Sequence, residues 1–218
     1  MFRLLLFCLL IAELGAFAQR PEIVMPDGHS LKIEQSLLDA QGKYLYTFEK
    51  QKCIMWDAGT RMQLYTFRPG EIEQIRISGD GKSILFLAGG NISLYSTLNG
   101  QLLKQTTGYN SYKDILFGAD GRQVFAIKDG SLHTLSMANL QNLSAVKLKL
   151  GSSGSLHLLA DKKILVIGSA ATETYDPITQ TSQLIPFQFN GASYRNQVFL
   201  PFQQWVAFYG RDTATDFY

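Results

Sequence analysis

The sequence predicts an all-β chain, a β-propeller of four-stranded blades. Three observations predict it. A marker pair, most often an aromatic or apolar residue followed by Asp or Ser, recurs about every forty residues. Each interval holds four short apolar runs separated by turn-forming residues. After residues 1–18, no stretch shows the period of about 3.6 residues that marks an amphipathic helix. Regularly spaced strands with turn signals leave a sandwich, a barrel or a propeller. Four strands in a forty-residue unit select the propeller. A single such unit cannot bury both its faces, so neighbours must stack about a common axis.

The markers are Trp56-Asp57, Tyr95-Ser96, Leu135-Ser136, Tyr175-Asp176 and Phe217-Tyr218, at intervals of 39, 40, 40 and 42 residues. A second marker keeps step upstream: Gly42-Lys43, Gly81-Lys82 and Gly121-Arg122, shortening to Asp161-Lys162-Lys163 in the fourth unit. The first strand of a unit carries spaced apolar residues, as in Ile72, Ile75 and Ile77. A polar turn follows, such as Ser78-Gly79-Asp80-Gly81, where Gly supplies the positive φ of a tight hairpin. The second strand is nearly continuous in apolar residues, Ile84 to Ala88 or Val124 to Ile127, as suits a strand buried on both faces. The third ends at the marker pair. The fourth is more polar, as in Gln101-Leu102-Leu103-Lys104, and fits the outer edge of a blade.

This register places blades at approximately 29–68, 69–107, 108–150, 151–190 and, in part, 191–218, about 4.5 in all. Two arrangements follow. The chain is the front portion of a longer ring, or Pro21 to Met25 supplies a strand that closes a five-bladed one. The first is favoured, since five blades lie low in the usual range.

Residues 1–18 read as a cleaved secretory signal. Arg3 is the positive region, Leu4 to Ala12 an apolar run too short to span a bilayer, and Ala16-Phe17-Ala18 a small-x-small cleavage site. The mature domain is then 19–218, exported to a periplasm, a cell surface or the extracellular space. Cys8 sits within the apolar run behind Phe7, which does not suit a lipid anchor. Cys53 is left without a disulfide partner and reads as a small apolar strand residue. The net charge is +2 with no block of like charge, which implies neither a nucleic acid nor an anionic membrane as partner. No integral membrane segment follows the signal.

Unit one carries Gly28-His29 and, after it, Ile33, Ser36, Leu38, Gly42-Lys43-Tyr44-Leu45 and Trp56-Asp57. On these residues the chain resembles the WD-repeat β-propellers, over residues 21–218. The resemblance implies a structural hydrogen-bond network of His, turn Asp and Trp. Unit one has Gln41 where the turn Asp belongs, and units two and three keep Asp80 and Asp120 without the His. The propeller is therefore a diverged one, and quinoprotein-like and other propeller families stay open. His29, Trp56, Asp57, Asp80, Tyr95, Asp120, Tyr175 and Asp176 are expected to be structural repeat markers.

No catalytic, cofactor-binding or metal-binding residue is assigned. His29, His133 and His157 fall at different places in their repeats, and no two have metal-ligand spacing. The carboxylates recur at turns, where turn chemistry accounts for them. No set of Ser, His and Asp suited to nucleophilic catalysis stands out. Tyr109 and Tyr112, in the loop entering unit three, are the contact candidates, with blade packing as the plainer alternative. The expectation is a non-catalytic scaffold that binds an unidentified protein or peptide, without cofactor. The resemblance implies that it is the sensing part of a larger exported protein that ends in an effector domain. The alternatives are a propeller enzyme, lactonase-like or quinone-dependent, and a structural component of a cell-envelope assembly.

Overall fold

A computed structural model describes residues 28–106, 111–149, 154–168 and 171–185, together with the backbone of 196–200, 205–209 and 216–217. The expected signal segment, the closing strand at 21–25 and Tyr109 lie outside these residues. Every regular element among the described residues is a β-strand. No helix there is long and apolar enough to cross a membrane.

The strands form consecutive antiparallel sheets in chain order. The first blade is β1 (Gln35–Leu38), β2 (Tyr44–Glu49), β3 (Lys52–Asp57) and β4 (Gln63–Phe67). The second is β5 (Ile72–Ile77), β6 (Ser83–Ala88), β7 (Asn91–Ser96) and β8 (Leu102–Gln105). The third is β9 (Asp114–Phe117), β10 (Gln123–Lys128), β11 (Ser131–Ser136) and β12 (Asn142–Lys147). The fourth is β13 (Gly154–Leu158), β14 (Ile164–Gly168), β15 (Thr172–Asp176) and β16 (Thr181–Ile185). A three-stranded sheet follows, β17 (Asn196–Leu200), β18 (Trp205–Tyr209) and β19 (Asp216–Phe217). This is the propeller that the repeat predicts, and among the described residues its ring is not closed.

The continuous apolar second strands are explained by what lies on either side of them. Side chains alternate across a strand. On β6, Ile84 and Phe86 pack toward the first blade with Tyr46, Phe48 and Phe67. Leu85 and Leu87 pack toward the third blade with Ile115, Phe117 and Val124. On β10, Val124 and Ala126 turn back to the second blade, and Phe125 and Ile127 meet Leu156, Val166 and Tyr175 of the fourth. Each middle strand therefore serves two cores. At the first interface Phe67, Phe86 and Tyr95 meet at ring distances of 5.6, 5.5 and 5.5 Å. The edge-on pairs add to simple burial.

The marker pair joins two tasks. In the second to fourth blades its first member faces the preceding blade: Leu135 and Tyr175 are buried and Tyr95 is half-buried in that interface. Its second member caps the turn that leads to the outer strand. Asp57 Oδ1 accepts from the Thr60 N–H at 2.7 Å, Ser96 Oγ from Leu98 N–H at 3.2 Å, Ser136 Oγ from Ala138 N–H at 3.2 Å, and Asp176 Oδ1 from Ile178 N–H at 2.8 Å. Asp80, Asp120 and Asp161 do the same at the other turn of their blades, accepting from the N–H two residues on. In the first blade that turn has Gln41 in place of Asp. There Asp39 Oδ1 takes over, accepting from Lys43 and Tyr44 N–H at 2.7 and 2.9 Å.

Gly90 lies between the second and third blades with φ +72°, and a Cβ on it would stand 2.9 Å from the Ser111 Cα. Its carbonyl accepts from Tyr112 N–H at 3.1 Å. Gly89 has φ +55° but open space around it. Gly89→Ala should therefore cost only the left-handed backbone penalty, about 1–2 kcal/mol. Gly90→Ala should cost measurably more in the same urea titration, because it must also push two blades apart. Equal losses from the two substitutions would contradict this account of the close approach.

Candidate functional site

The innermost strand of a blade is a sheet edge, so half of its backbone groups lack a strand partner. The registers place Gln35, Gln74, Asp114 and Ser155 at one level on four successive inner strands, opposite Phe48, Leu87, Ile127 and Ile167. Two members of this polar level reach the following blade. Gln74 Oε1 accepts from the Ile115 N–H at 3.4 Å, and Asp114 Oδ2 accepts from the Leu156 N–H at 2.7 Å. Ile115 and Leu156 are equivalent in register, so one bond repeats from blade two to three and from three to four. In both cases a side chain satisfies an edge N–H of the neighbouring blade.

Asp114 stands at the centre of this level. Its side chain is 1% exposed and receives Arg76 Nη2 at 3.2 Å. Its own-strand neighbour Ile115 donates to Oδ1 at 2.6 Å. One carboxylate thus holds blades two, three and four. Burial raises its pKa above the usual carboxylate range, against the pull of the Arg76 charge and the Leu156 and Ile115 N–H groups. Arg76 has a side-chain exposure of 32%, so part of the side chain reaches solvent beside the inner strands.

Two residues along, His157 occupies the register position of Arg76 on the fourth blade. Ser155 Oγ and His157 Nε2 are 3.1 Å apart. Burial, and to a lesser extent the Arg76 charge, push the imidazolium pKa down to about 4, so the ring is neutral near pH 7. The Asp114 carboxylate is engaged by Arg76 and two backbone N–H groups. That arrangement ties blades together and is not the orienting contact of a charge-relay set. Among the described residues, no group of three or more His, Cys, Asp and Glu is placed to hold a metal ion.

The same end of the blades carries further carboxylates that gather loop N–H groups. Glu49 Oε2 accepts from Leu31 at 2.8 Å, Glu73 Oε1 from Gly90 at 3.0 Å and Glu173 Oε1 from Lys149 at 2.8 Å. These bonds fix the loops around the polar level. The hairpin turns Gly89-Gly90 and Asp129-Gly130, all four residues at positive φ, rise at this end.

Trp56 is buried and donates from Nε1 to Thr47 Oγ1 at 2.7 Å. His29 is half-buried. Asp57, Asp80, Asp120 and Asp176 cap turns, and Tyr95 and Tyr175 pack between blades, as described above. Tyr112 is a packing residue: it is 6% exposed within the second interface, with Lys128 Nζ 5.7 Å from its ring and the His133 ring 6.1 Å away. It offers little surface to a partner. Cys53 is buried in β3 and burial raises its thiol pKa.

The residues that sequence reasoning did not bring together are Gln74, Arg76, Asp114, Ser155 and His157. A signal was present, since polar residues recur near the start of each inner strand. The residue types differ, however, and no local motif marks them.

No known family profile matches the sequence, and no curated protein matches it. Solved structures do. The structure of U3-55K superimposes with a TM-score of 0.63 at 14% identity, covering 72% of this chain and 53% of that one. The WD40 repeats of RRP9 give a TM-score of 0.63 at 16% identity, covering 72% and 52%. Hydrazine synthase of Kuenenia stuttgartiensis gives 0.62 at 13% identity, covering 83% and 57%. The fold is that of a β-propeller like the WD40 repeats among these structures. The chain spans about half the length of these structures.

Asp114→Asn should lower the unfolding free energy by about 2–3 kcal/mol, less than for a fully sealed pair because Arg76 is partly solvated. Urea titration checks it. His157 binds protons more readily unfolded, where its pKa is near 6.5, than folded. Its contribution is therefore complete above that pH and is lost as pH falls toward about 4, a loss of up to about 3 kcal/mol. The raised pKa of Asp114 acts in the opposite sense, favouring the fold toward the acid end of the same range. Thermal melts between pH 7 and 4 should show a falling midpoint, and His157→Gln should flatten that slope.

Proposed function

We propose that this propeller is a non-catalytic interaction module that receives a peptide or protein segment at the end where the polar inner level opens. The observation that carries the reading is the partly exposed Arg76, held by the sealed Asp114 carboxylate of the polar level on the inner strands. A fixed guanidinium of this kind favours an acidic or carbonyl-bearing group on the partner. The loops around it are tied by Glu49, Glu73 and Glu173, so the surface is preorganised, which lowers the ordering cost of binding.

The module belongs to an exported protein, with the mature chain starting near Gln19, and serves as the sensing or binding part of a larger multidomain protein. The signal-like residues 1–18 support export. Amino-terminal sequencing of the secreted protein checks the cleavage site.

A second reading, a hydrolase, has one observation in its favour: Ser155 and His157 are in hydrogen-bond contact with a neutral imidazole. A serine-directed covalent probe that labels the native protein but not Ser155→Ala would establish that reading in place of the first.

For the interaction module, tagged protein should retain a partner from extracts of its source cells. Lys113→Glu combined with Lys128→Glu, at the loop-bearing end, should weaken retention at least tenfold. Lys82→Glu combined with Arg122→Glu, on turns of the opposite end, should leave it unchanged. Retention that is lost only with the second pair would place the binding surface elsewhere and contradict the proposal.

A further inference from the structure

The outer strand of each blade is also a sheet edge, and three of the four are blunted in one way. β4, β8 and β12 each carry a β-bulge at the same place, opposite Met55/Trp56, Leu94/Tyr95 and Thr134/Leu135. The extra residue is a leucine every time, Leu64, Leu103 and Leu143, exposed by 39%, 45% and 60%. A bulge bends and twists an edge away from the flat geometry that another strand needs. β8 and β12 add a charge, Lys104 and Lys147. Bulges and edge lysines are the devices by which sheet proteins avoid pairing edge to edge.

β16 has neither. Its register with β15 runs unbroken from Thr181 to Ile185. Its sequence, Thr-Ser-Gln-Leu-Ile, holds no charged residue and no proline, and Thr181 to Leu184 are exposed. Nothing among the described residues covers this edge.

We infer that β16 pairs antiparallel with β16 of a second copy of this chain, about a two-fold axis through Gln183. The chemistry of the strand selects a copy of itself over a foreign segment. In an isologous antiparallel pair centred on Gln183, Thr181 faces Ile185, Ser182 faces Leu184, and Gln183 faces its own copy. Thr and Ile form a β-branched cross-strand pair, and two glutamine amides donate and accept reciprocally. A charged edge would set like charges against each other across the axis; this edge has none to oppose. Five paired residues a side bury less than the roughly 1,000 Å² of a tight interface, so the dimer is weak and forms only as concentration rises. The surface lies on the outer edge of the fourth blade, so the inference stands independently of the binding surface proposed at the inner edges.

Sedimentation velocity over a concentration series tests it. The wild-type chain is expected to pass from monomer to dimer as concentration rises. Gln183→Lys and Gln183→Glu, each checked for native circular dichroism, are expected to remain monomeric, because each places like charges across the axis. An equimolar mixture of the two variants is expected to restore the dimer, because an ammonium then opposes a carboxylate at the axis. Leu143→Lys, on a bulged edge, is expected to dimerise like the wild type. A wild-type chain that stays monomeric throughout overturns the inference, as does a mixture of the two charged variants that fails to associate. Dimerisation unaffected by Gln183→Lys also overturns it.

Discussion

The structure depends on one constraint: every blade between two others is apolar on both faces, so no sheet is stable without its neighbours. The middle strands show this most directly. Ile84 and Phe86 belong to one interface and Leu85 and Leu87 to the next, although they alternate along a single strand. Apolar surface removed from water on both sides supplies the driving force. The forty-residue period follows from it, because each unit must present matching surfaces to the unit before and the unit after.

Stacking sheets about an axis leaves two sets of unpaired edges, and the chain treats them differently. The inner edges converge, and side chains of the preceding blade take up some of their N–H groups. Gln74 and Asp114 carry out this task at equivalent positions. Asp114 also gathers Arg76, so a buried charge that would be costly alone becomes a tie among three blades. The outer edges diverge toward solvent, where bulges at Leu64, Leu103 and Leu143 disrupt the flat ladder. The inner edge is thus joined by polar chemistry and the outer edge is mostly closed to strand pairing.

Much of the fold was legible in the sequence because its signals are local. The continuous runs at Ile84 and Val124, the turns around Gly81 and Gly121, and the marker pairs each report on a few adjacent residues. The capping role of Asp57, Ser96, Ser136 and Asp176 follows from short-range hydrogen bonding of the same kind. The polar level was not legible, because Gln74 and Asp114 act on N–H groups about one repeat further along the chain. An amide, a carboxylate and a hydroxyl at one register position make no motif. From the sequence Tyr112 is either a contact residue or a packing one; the absence of a side chain at Gly90 lets the Ser111-Tyr112 backbone approach and turns the ring into the interface. The outer bulges leave the period unchanged, since each of the three blades carries one.

Native-state hydrogen exchange on wild type and Phe86→Ala tests the central claim of mutual stabilisation most directly. Phe86 packs into the interface between the first and second blades. If blades hold one another in place, its truncation lowers the protection of amides in β10, an interface further on, together with those of β6. Loss confined to β6 and its immediate neighbours, with β10 protected as in the wild type, would show that the blades are stable one by one and would contradict the account.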